Sequence, residues 1–193
     1  MTLSQFMIQY RHMTTFSPDK IKQLCSVYDF RPSKQYGQHY LISDSPIKKM
    51  IDAGGLTKDD TVIEVGPGFG VLTFAIAPLV KKVVAFEIEK KLQPYWEEKT
   101  LAYPNIEIKW GNVLNEWKKG GDWEMRNGKW EMGAYKVLAN LPYQITSNVI
   151  RLFLESEHKP ERMVIMVQKE VAERICAKPP EMSLLAVSVQ YYG

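Results

Sequence analysis

Residues 61–79 set three features in a row that few architectures accommodate. Thr61-Val62-Ile63-Glu64-Val65 is a short apolar run broken by one acid, Gly66-Pro67-Gly68-Phe69-Gly70 follows, and a helix is expected from there through Leu79. Strand, glycine-rich turn and helix in that order open a βα unit of a parallel sheet. Glycine tolerates φ > 0 and lets a ligand come close to the backbone. The spacing is G-x-G-x-G with an acid two residues ahead. It is not the G-x-G-x-x-G of dinucleotide sites, and no G-K-[ST] follows as in a P-loop. The ligand implied is a nucleoside-type molecule with no pyrophosphate to cradle. A tight βα turn without a ligand accounts for the glycines equally simply.

The rest of the chain continues the alternation. Strands are expected at 82–87, 105–110, 135–139 and 163–167. Ser17-Pro18-Asp19 starts a helix ended by Arg31-Pro32, and Ser45-Pro46 starts another ended by Gly54-Gly55. Further helices are expected from Glu89, over 147–154 and from Gln168, the last with Glu170 and Arg174 four residues apart. Residues 184–192 are apolar, with a period that does not separate helix from strand. The fold class is therefore α/β, with a mainly parallel sheet and helices on both faces. Within 123–132, Asn127-Gly128 is a preferred two-residue hairpin turn. Pairing across it sets Met125 opposite Trp130 and Trp123 opposite Met132, so that 120–133 reads as an inserted hairpin. Residues 1–35 form an arm and a helix, and 36–193 a single domain.

Several side chains fall at the ends of these strands. Glu87 lies about 20 residues past Gly66, where such folds place an acid on ribose hydroxyls; a solvated charge before a helix is the simpler alternative. Gly111-Asn112 ends the third strand, either as an ordinary turn or with Asn112 turned toward a base. Asn140-Leu141-Pro142-Tyr143 ends the fourth. An Asn oxygen accepts a hydrogen bond from an exocyclic amine, and Pro142 pushes Leu141 toward an extended backbone that aims its carbonyl at the same amine. Tyr143 offers a face on which a base can stack. Taken alone, a strand end closed by a Pro turn is the simpler account. Gln38 and His39 sit in a loop between Tyr36 and Tyr40, and by spacing alone they read as a surface pair. His12 and His158 read as surface residues.

Composition narrows the remaining classes. Hydrophobic residues make up 45% and charged residues 24% of 193, an ordinary globular balance. No apolar run approaches the roughly 18 residues a membrane span needs, and the N-terminus has no apolar signal core. Cys25 and Cys176 match no metal spacing, so no metal is expected, and two lone cysteines without a secretion signal point to the reducing cytoplasm. A net charge of +3 permits a polyanionic partner without demanding one.

Five features stand in one order: Gly37-Gln38-His39-Tyr40-Leu41, Glu64-x-Gly66-x-Gly68-x-Gly70, Glu87, Gly111-Asn112 and Asn140-Leu141-Pro142-Tyr143. In this combination the chain resembles the ribosomal RNA adenine N6-dimethyltransferases, of the KsgA type that acts on small-subunit rRNA. Gln168-Lys169-Glu170-Val171-Ala172-Glu173-Arg174 also looks like that family, and the resemblance covers residues 17 to 193. It implies a Rossmann-like class I methyltransferase fold and S-adenosylmethionine as methyl donor. It places Gln38, His39 and Leu41 over the methionine end of the cofactor. Glu64, Gly66 and Gly68 lie beneath it, Glu87 on the ribose, Asn112 on the adenine and Asn140 at its border. Asn140, Leu141, Pro142 and Tyr143 would hold the target adenine. It further implies two more strands and a small helical domain beyond residue 193, a monomer, and a small-subunit rRNA or pre-30S particle as partner. Three positions depart from the family pattern: Asn112 where Asp is usual, Tyr40 where Phe is commoner, and Pro179-Pro180-Glu181-Met182 in place of a longer loop. The alternatives are a large-subunit methyltransferase of the antibiotic-resistance type, an RNA-binding assembly factor with weak catalysis, and a nicotinamide-binding oxidoreductase. The glycine spacing and Asn140-Leu141-Pro142-Tyr143 disfavour the last.

Overall fold

A computed structural model describes residues 16–31, 44–117, 125–126, 129–130 and 133–192. Five strands form one sheet: β1 (Thr61–Val65), β2 (Lys82–Glu87), β3 (Ile106–Trp110), β6 (Tyr135–Asn140) and β7 (Arg162–Met166). Their order is β3-β2-β1-β6-β7 and every pairing is parallel. All five carboxyl ends therefore lie along one edge. The fifth strand sits one residue earlier than expected.

The inner strands β1, β2 and β6 are largely buried on both faces, as apolar runs in a parallel sheet should be, while the edge strands β3 and β7 are mostly half-buried. One face carries Val62, Val83, Ile106 and Leu138. Against it pack α1 (Pro18–Val27), α2 (Asp44–Gly54), α3 (Val71–Ile76) and α4 (Gln93–Ala102). A 3-10 turn, Ala77–Leu79, finishes α3, and another, Lys90–Leu92, leads into α4. The other face carries Ile63, Val84, Phe86 and Val137, covered by α5 (Val113–Glu116) and α6 (Thr146–Leu154) through Val113, Val149 and Phe153. Two more helices close the described chain, α7 (Lys169–Cys176) and α8 (Leu184–Tyr192), so the ambiguous apolar segment is helical. On α7 the i,i+4 ion pair is Lys169–Glu173 at 3.5 Å. An apolar hollow of about 480 Å³ lies between α6, β7, α7 and α8. It faces Met163 and Ile165, the second face of the sheet.

β4 (Met125–Arg126) and β5 (Lys129–Trp130) pair antiparallel with Met125 opposite Trp130, the expected hairpin register. Trp123 and Met132 lie outside the described residues, as does His12. His158 is half-buried, and its carbonyl accepts a hydrogen bond from the Tyr135 hydroxyl at 2.7 Å.

The first helix stops at Val27, four residues before Arg31. Asp29 takes a positive φ of 43°, and the Phe30 N–H returns to the Cys25 carbonyl at 2.8 Å. This is a Schellman-type ending with Asp where glycine is usual. The unfavourable conformation is held in place: Lys91 Nζ donates to the Asp29 carbonyl at 2.8 Å and to its carboxylate at 3.0 Å. Phe30 is thereby turned into the core beside Phe69.

The amino-terminal edge of the sheet is fastened by charge. Lys136 Nζ donates to Asp60 Oδ2 and to the Gly55 carbonyl, both at 2.8 Å. Arg162 donates to the Ala53 carbonyl at 2.8 Å. Two strands thus satisfy the last carbonyls of α2. Burial alone would raise the Asp60 carboxyl, but the Lys136 ammonium and the Thr57 N–H hold it below the usual range. A depressed folded value adds stability above the unfolded pKa near 4, lost as pH falls through the folded one. Lys136→Met should therefore lower the unfolding free energy at pH 7 by about 2 kcal/mol and flatten the acid limb. Urea melts at pH 3 and pH 7 that fall equally in both proteins would refute this.

Candidate functional site

The candidate site lies on the carboxyl edge, where the strand order reverses between β1 and β6. Their pairing stops at Ile63 opposite Val137, although the strands continue to Val65 and Asn140. β1 stays paired with β2 to its end, and β6 with β7 as far as Asn140–Met166. A crevice therefore opens at the reversal.

Residue alternation decides what faces that crevice. Glu64 pairs with Ala85, two residues before Glu87, and Leu138 lies two residues before Asn140. Side chains two apart on a strand share a face. Glu64, Glu87 and Asn140 therefore stand on the same side of the sheet, the side packed against α1–α4.

Above them lies the 66–70 turn. Gly66, Gly68 and Gly70 all have positive φ, at 71°, 56° and 83°. At Gly70 the requirement is doubled. A Cβ there would come 2.5 Å from Phe74 and 2.8 Å from Trp96. At Gly66 a Cβ would meet nothing within 4 Å among the described residues, so this glycine opens onto free space. The turn is anchored at both ends, by Gly66 N–H to the Phe86 carbonyl at 2.9 Å and by Gly70 N–H to the Pro67 carbonyl at 2.8 Å.

Glu87 is buried, yet both its oxygens accept backbone hydrogen bonds, from Gly68 at 3.0 Å and Glu89 at 2.8 Å. Burial pushes its carboxyl up, and the backbone N–H groups of Glu89, Gly68 and Ile88 pull against that rise. A carboxylate has about four lone-pair sites, so Glu87 can still accept a donor from a ligand. Glu64 is more extreme. Burial drives it to about 8, tempered by the Thr73 hydroxyl and reinforced by the Glu87 charge. Glu64 Oε2 and Thr73 Oγ1 are both buried without a well-formed hydrogen bond among the described residues.

That raised value has a consequence for stability. The native state keeps a proton that an unfolded Glu, with a pKa near 4.3, releases. Stability from this group is complete below the unfolded value and declines as pH climbs toward 8. Glu64→Gln cannot ionise and should flatten this limb. Urea unfolding at pH 5 and pH 8.5 tests it: parallel losses in the two proteins would count against the assignment.

Asn112 caps α5, its Oδ1 accepting from the Leu114 N–H at 3.0 Å, while the Gly111 N–H donates to the Glu87 carbonyl at 2.8 Å. Asn112 thus stands directly after the Gly111 that is bonded to the end of β2. Asn140 is half-buried at the end of β6. Leu141 is buried, with its N–H on the Met166 carbonyl at 3.1 Å. The Pro142 carbonyl accepts from the Ile145 N–H at 3.2 Å and the Thr146 hydroxyl at 2.9 Å, closing the turn into α6. Tyr143 stands 50% exposed, an accessible ring beside that turn. Gln38, His39 and Leu41 lie outside the described residues.

The sequence reading passed over Tyr95 and Trp96. The Tyr95 hydroxyl donates to the Phe69 carbonyl at 2.7 Å, and Trp96 Nε1 to the Gly68 carbonyl at 2.9 Å. Two aromatic neighbours on a helix read as core, and both are buried. No local pattern tells that their polar atoms reach a turn 26 and 28 residues away.

The donor set has a chemical preference. The 66–70 turn carries no Lys or Arg, and two acidic side chains lie beneath it. A pyrophosphate there would find no cation beside it and would raise further the cost of charge on Glu87. A ligand with hydroxyls and a positive charge would satisfy Glu87 and the orphaned Glu64 oxygen. Among the described residues no three His, Cys, Asp or Glu side chains gather as metal ligands, and no helix is long and apolar enough to cross a membrane.

Comparison with known proteins agrees with this layout. The family model described as ribosomal RNA adenine dimethylase matches residues 29–193. A ribosomal RNA small subunit methyltransferase A from Dehalococcoides mccartyi is 45% identical over 172 residues, 89% of this chain and 57% of the relative. One from Alkaliphilus metalliredigens is 39% identical, over 91% of this chain and 61% of its own length. The chain thus spans less than two thirds of these curated relatives. Among solved structures, a dimethyladenosine transferase from Plasmodium falciparum superposes with a TM-score of 0.63 at 28% identity, covering 79% of this chain and 52% of that one. The 23S rRNA methyltransferase ErmE gives 0.56 at 26% identity, covering 70% and 50%.

Proposed function

The chain belongs to the ribosomal RNA adenine dimethylase family, and from that premise we propose that it transfers methyl groups from S-adenosylmethionine to the exocyclic amine of adjacent adenines near the 3′ end of small-subunit rRNA, during ribosome assembly in the cytoplasm. The observation that carries this reading is the shared edge: the acid-lined glycine turn of β1 and Asn140-Leu141-Pro142-Tyr143 of β6 flank one crevice.

The cofactor fits the donors present. Its ribose hydroxyls match the Glu87 carboxylate, and its cationic methionine end suits the buried Glu64 oxygen. Gly66 leaves the room it needs. Asn112 offers an amide to the adenine, and family resemblance assigns Gln38, His39 and Leu41, which lie outside the described residues, to the methionine end. When bound, the cofactor supplies an electrophilic methyl group on a sulfonium, already a good leaving group.

The protein therefore needs no strong base. The adenine amine is a weak nucleophile because its lone pair is delocalised into the ring. The Asn140 side-chain oxygen and the Leu141 carbonyl accept hydrogen bonds from its two N–H groups and favour the more tetrahedral nitrogen that attacks; as the N–C bond forms the C–S bond breaks, the neutral thioether leaves, and the proton shed by the methylated amine passes to solvent. Pro142 holds the Leu141 backbone extended, and the exposed Tyr143 ring stacks on the base. Catalysis here is positioning and electrostatics. The base leaves its stack to enter the crevice.

The test is to incubate the 193-residue chain with labelled donor and separate unmethylated small and large ribosomal subunits, then map the label. Label on adenines near the 3′ end of small-subunit rRNA is the expected result. Label on large-subunit rRNA would replace this reading with the antibiotic-resistance type, and particle binding without label with the assembly-factor reading.

A further inference from the structure

Gly68 is held from both sides. Its N–H donates to Glu87 Oε2 at 3.0 Å, and its carbonyl accepts the indole N–H of Trp96 at 2.9 Å. Trp96 is itself fixed. Its ring is buried, tilted against Phe74 at 5.4 Å and edge-on to Tyr95 at 5.5 Å, and the Tyr95 hydroxyl holds the next carbonyl of the turn, Phe69, at 2.7 Å. A glycine with a φ of 56° has no Cβ to resist rotation of its peptide groups. Within the turn, the Gly70 N–H holds the Pro67 carbonyl, which shares a peptide plane with the Gly68 N–H; the peptide on the other side of Gly68 is held from outside the turn, by Trp96. Besides Gly68, the Glu87 carboxylate receives the Glu89 N–H at 2.8 Å, and the Ile88 N–H also favours its charged form.

We propose that Trp96 is a positioning residue for hydroxyl recognition: by fixing the Gly68 carbonyl, its indole N–H works with the Gly70–Pro67 hydrogen bond to steady the Gly68 N–H that orients the Glu87 carboxylate toward the ribose. This inference rests on the cofactor reading given above and extends it to a residue that touches no ligand. Without the indole donor the Gly68 carbonyl loses its holder, the peptides either side of Gly68 are less firmly fixed, and the Gly68 N–H is aimed less well at Glu87. The ligand should then bind more weakly, and the loss should fall on its ribose hydroxyls alone.

A ligand–variant cycle separates this from general damage. Calorimetric binding of S-adenosylhomocysteine and of its 2′-deoxy analogue is measured with the wild-type chain and with Trp96→Phe, which keeps an aromatic ring and removes the donor. Wild type should lose about tenfold in affinity on losing the hydroxyl. Trp96→Phe should bind the parent ligand about five- to tenfold more weakly, as expected for one hydrogen bond, and lose less than about twofold more with the deoxy analogue. Such non-additivity marks residues acting through a common contact. Should Trp96→Phe fail to fold, the benzothienyl isostere of tryptophan at position 96 keeps the shape and lacks only the N–H.

Equal penalties for the deoxy analogue in both proteins would overturn the inference and leave the cofactor reading intact. So would a Trp96 variant that binds like wild type. A wild-type chain indifferent to the 2′-hydroxyl would overturn the link to Glu87. No binding of the parent ligand to the wild type would overturn the cofactor reading and this inference together.

Discussion

Asn140→Ala is expected to slow methyl transfer to small-subunit rRNA by about 10²- to 10³-fold, the cost typical of removing one preorganised group from a polar transition state. Donor affinity should stay within about threefold of wild type. The reasoning starts at the end of β6. Asn140 is the last residue of a strand paired to Met166, and the Leu141 N–H is tied to the Met166 carbonyl. The backbone that carries both amine acceptors is therefore part of the sheet, and truncating one side chain leaves it in place. What disappears is one of two oxygens that favour the attacking nitrogen. Asn140→Asp keeps an acceptor and should fall between the two. Single-turnover rates with labelled donor, beside calorimetry of donor binding, make the comparison. A rate for Asn140→Ala within tenfold of wild type would remove the proposed role.

The second large effect separates two glycines of one turn. Gly70→Ala should lose about 2–5 kcal/mol of stability, from a side chain forced to a φ of 83° and from overpacking against Phe74 and Trp96. Gly66→Ala has the strain but no neighbour within 4 Å among the described residues, so it should lose only about 1–2 kcal/mol. Its effect should appear in binding instead, because its Cβ would project into the space assigned to the cofactor. Urea melts and donor titrations together decide this. Equal stability losses with equal affinities would show that the two glycines do the same job.

Much of this architecture was legible before any coordinates. The parallel sheet followed from β-branched strand runs bounded by turns. Asn127-Gly128 set the register that pairs Met125 with Trp130. Spacing located Glu87, and strand ends located Asn112 and Asn140. The misreadings have tertiary causes. Asp29 ends α1 in a conformation that Asp seldom adopts, secured by Lys91 far along the chain. Residues 184–192 are mostly apolar, with Ser188 and Gln190 the exceptions, so no period shows whether they coil or extend. The depth of Glu64 could not be read from a single acid in an apolar run; the absence of a well-formed hydrogen-bond partner is a property of the packed fold. Trp96 shows the same limit, because its core-like surroundings hide a polar atom aimed at a distant carbonyl.

The bonds from Lys136 and Arg162 to the end of α2 sit on the rim of the sheet opposite the crevice. Mechanical integrity and chemistry are thereby assigned to different ends of the same strands. Exchanging residues at the chemical end, as at Asn112, can alter what the protein selects without loosening the scaffold that presents it. A lineage carrying such a scaffold is free to retune its target one loop at a time.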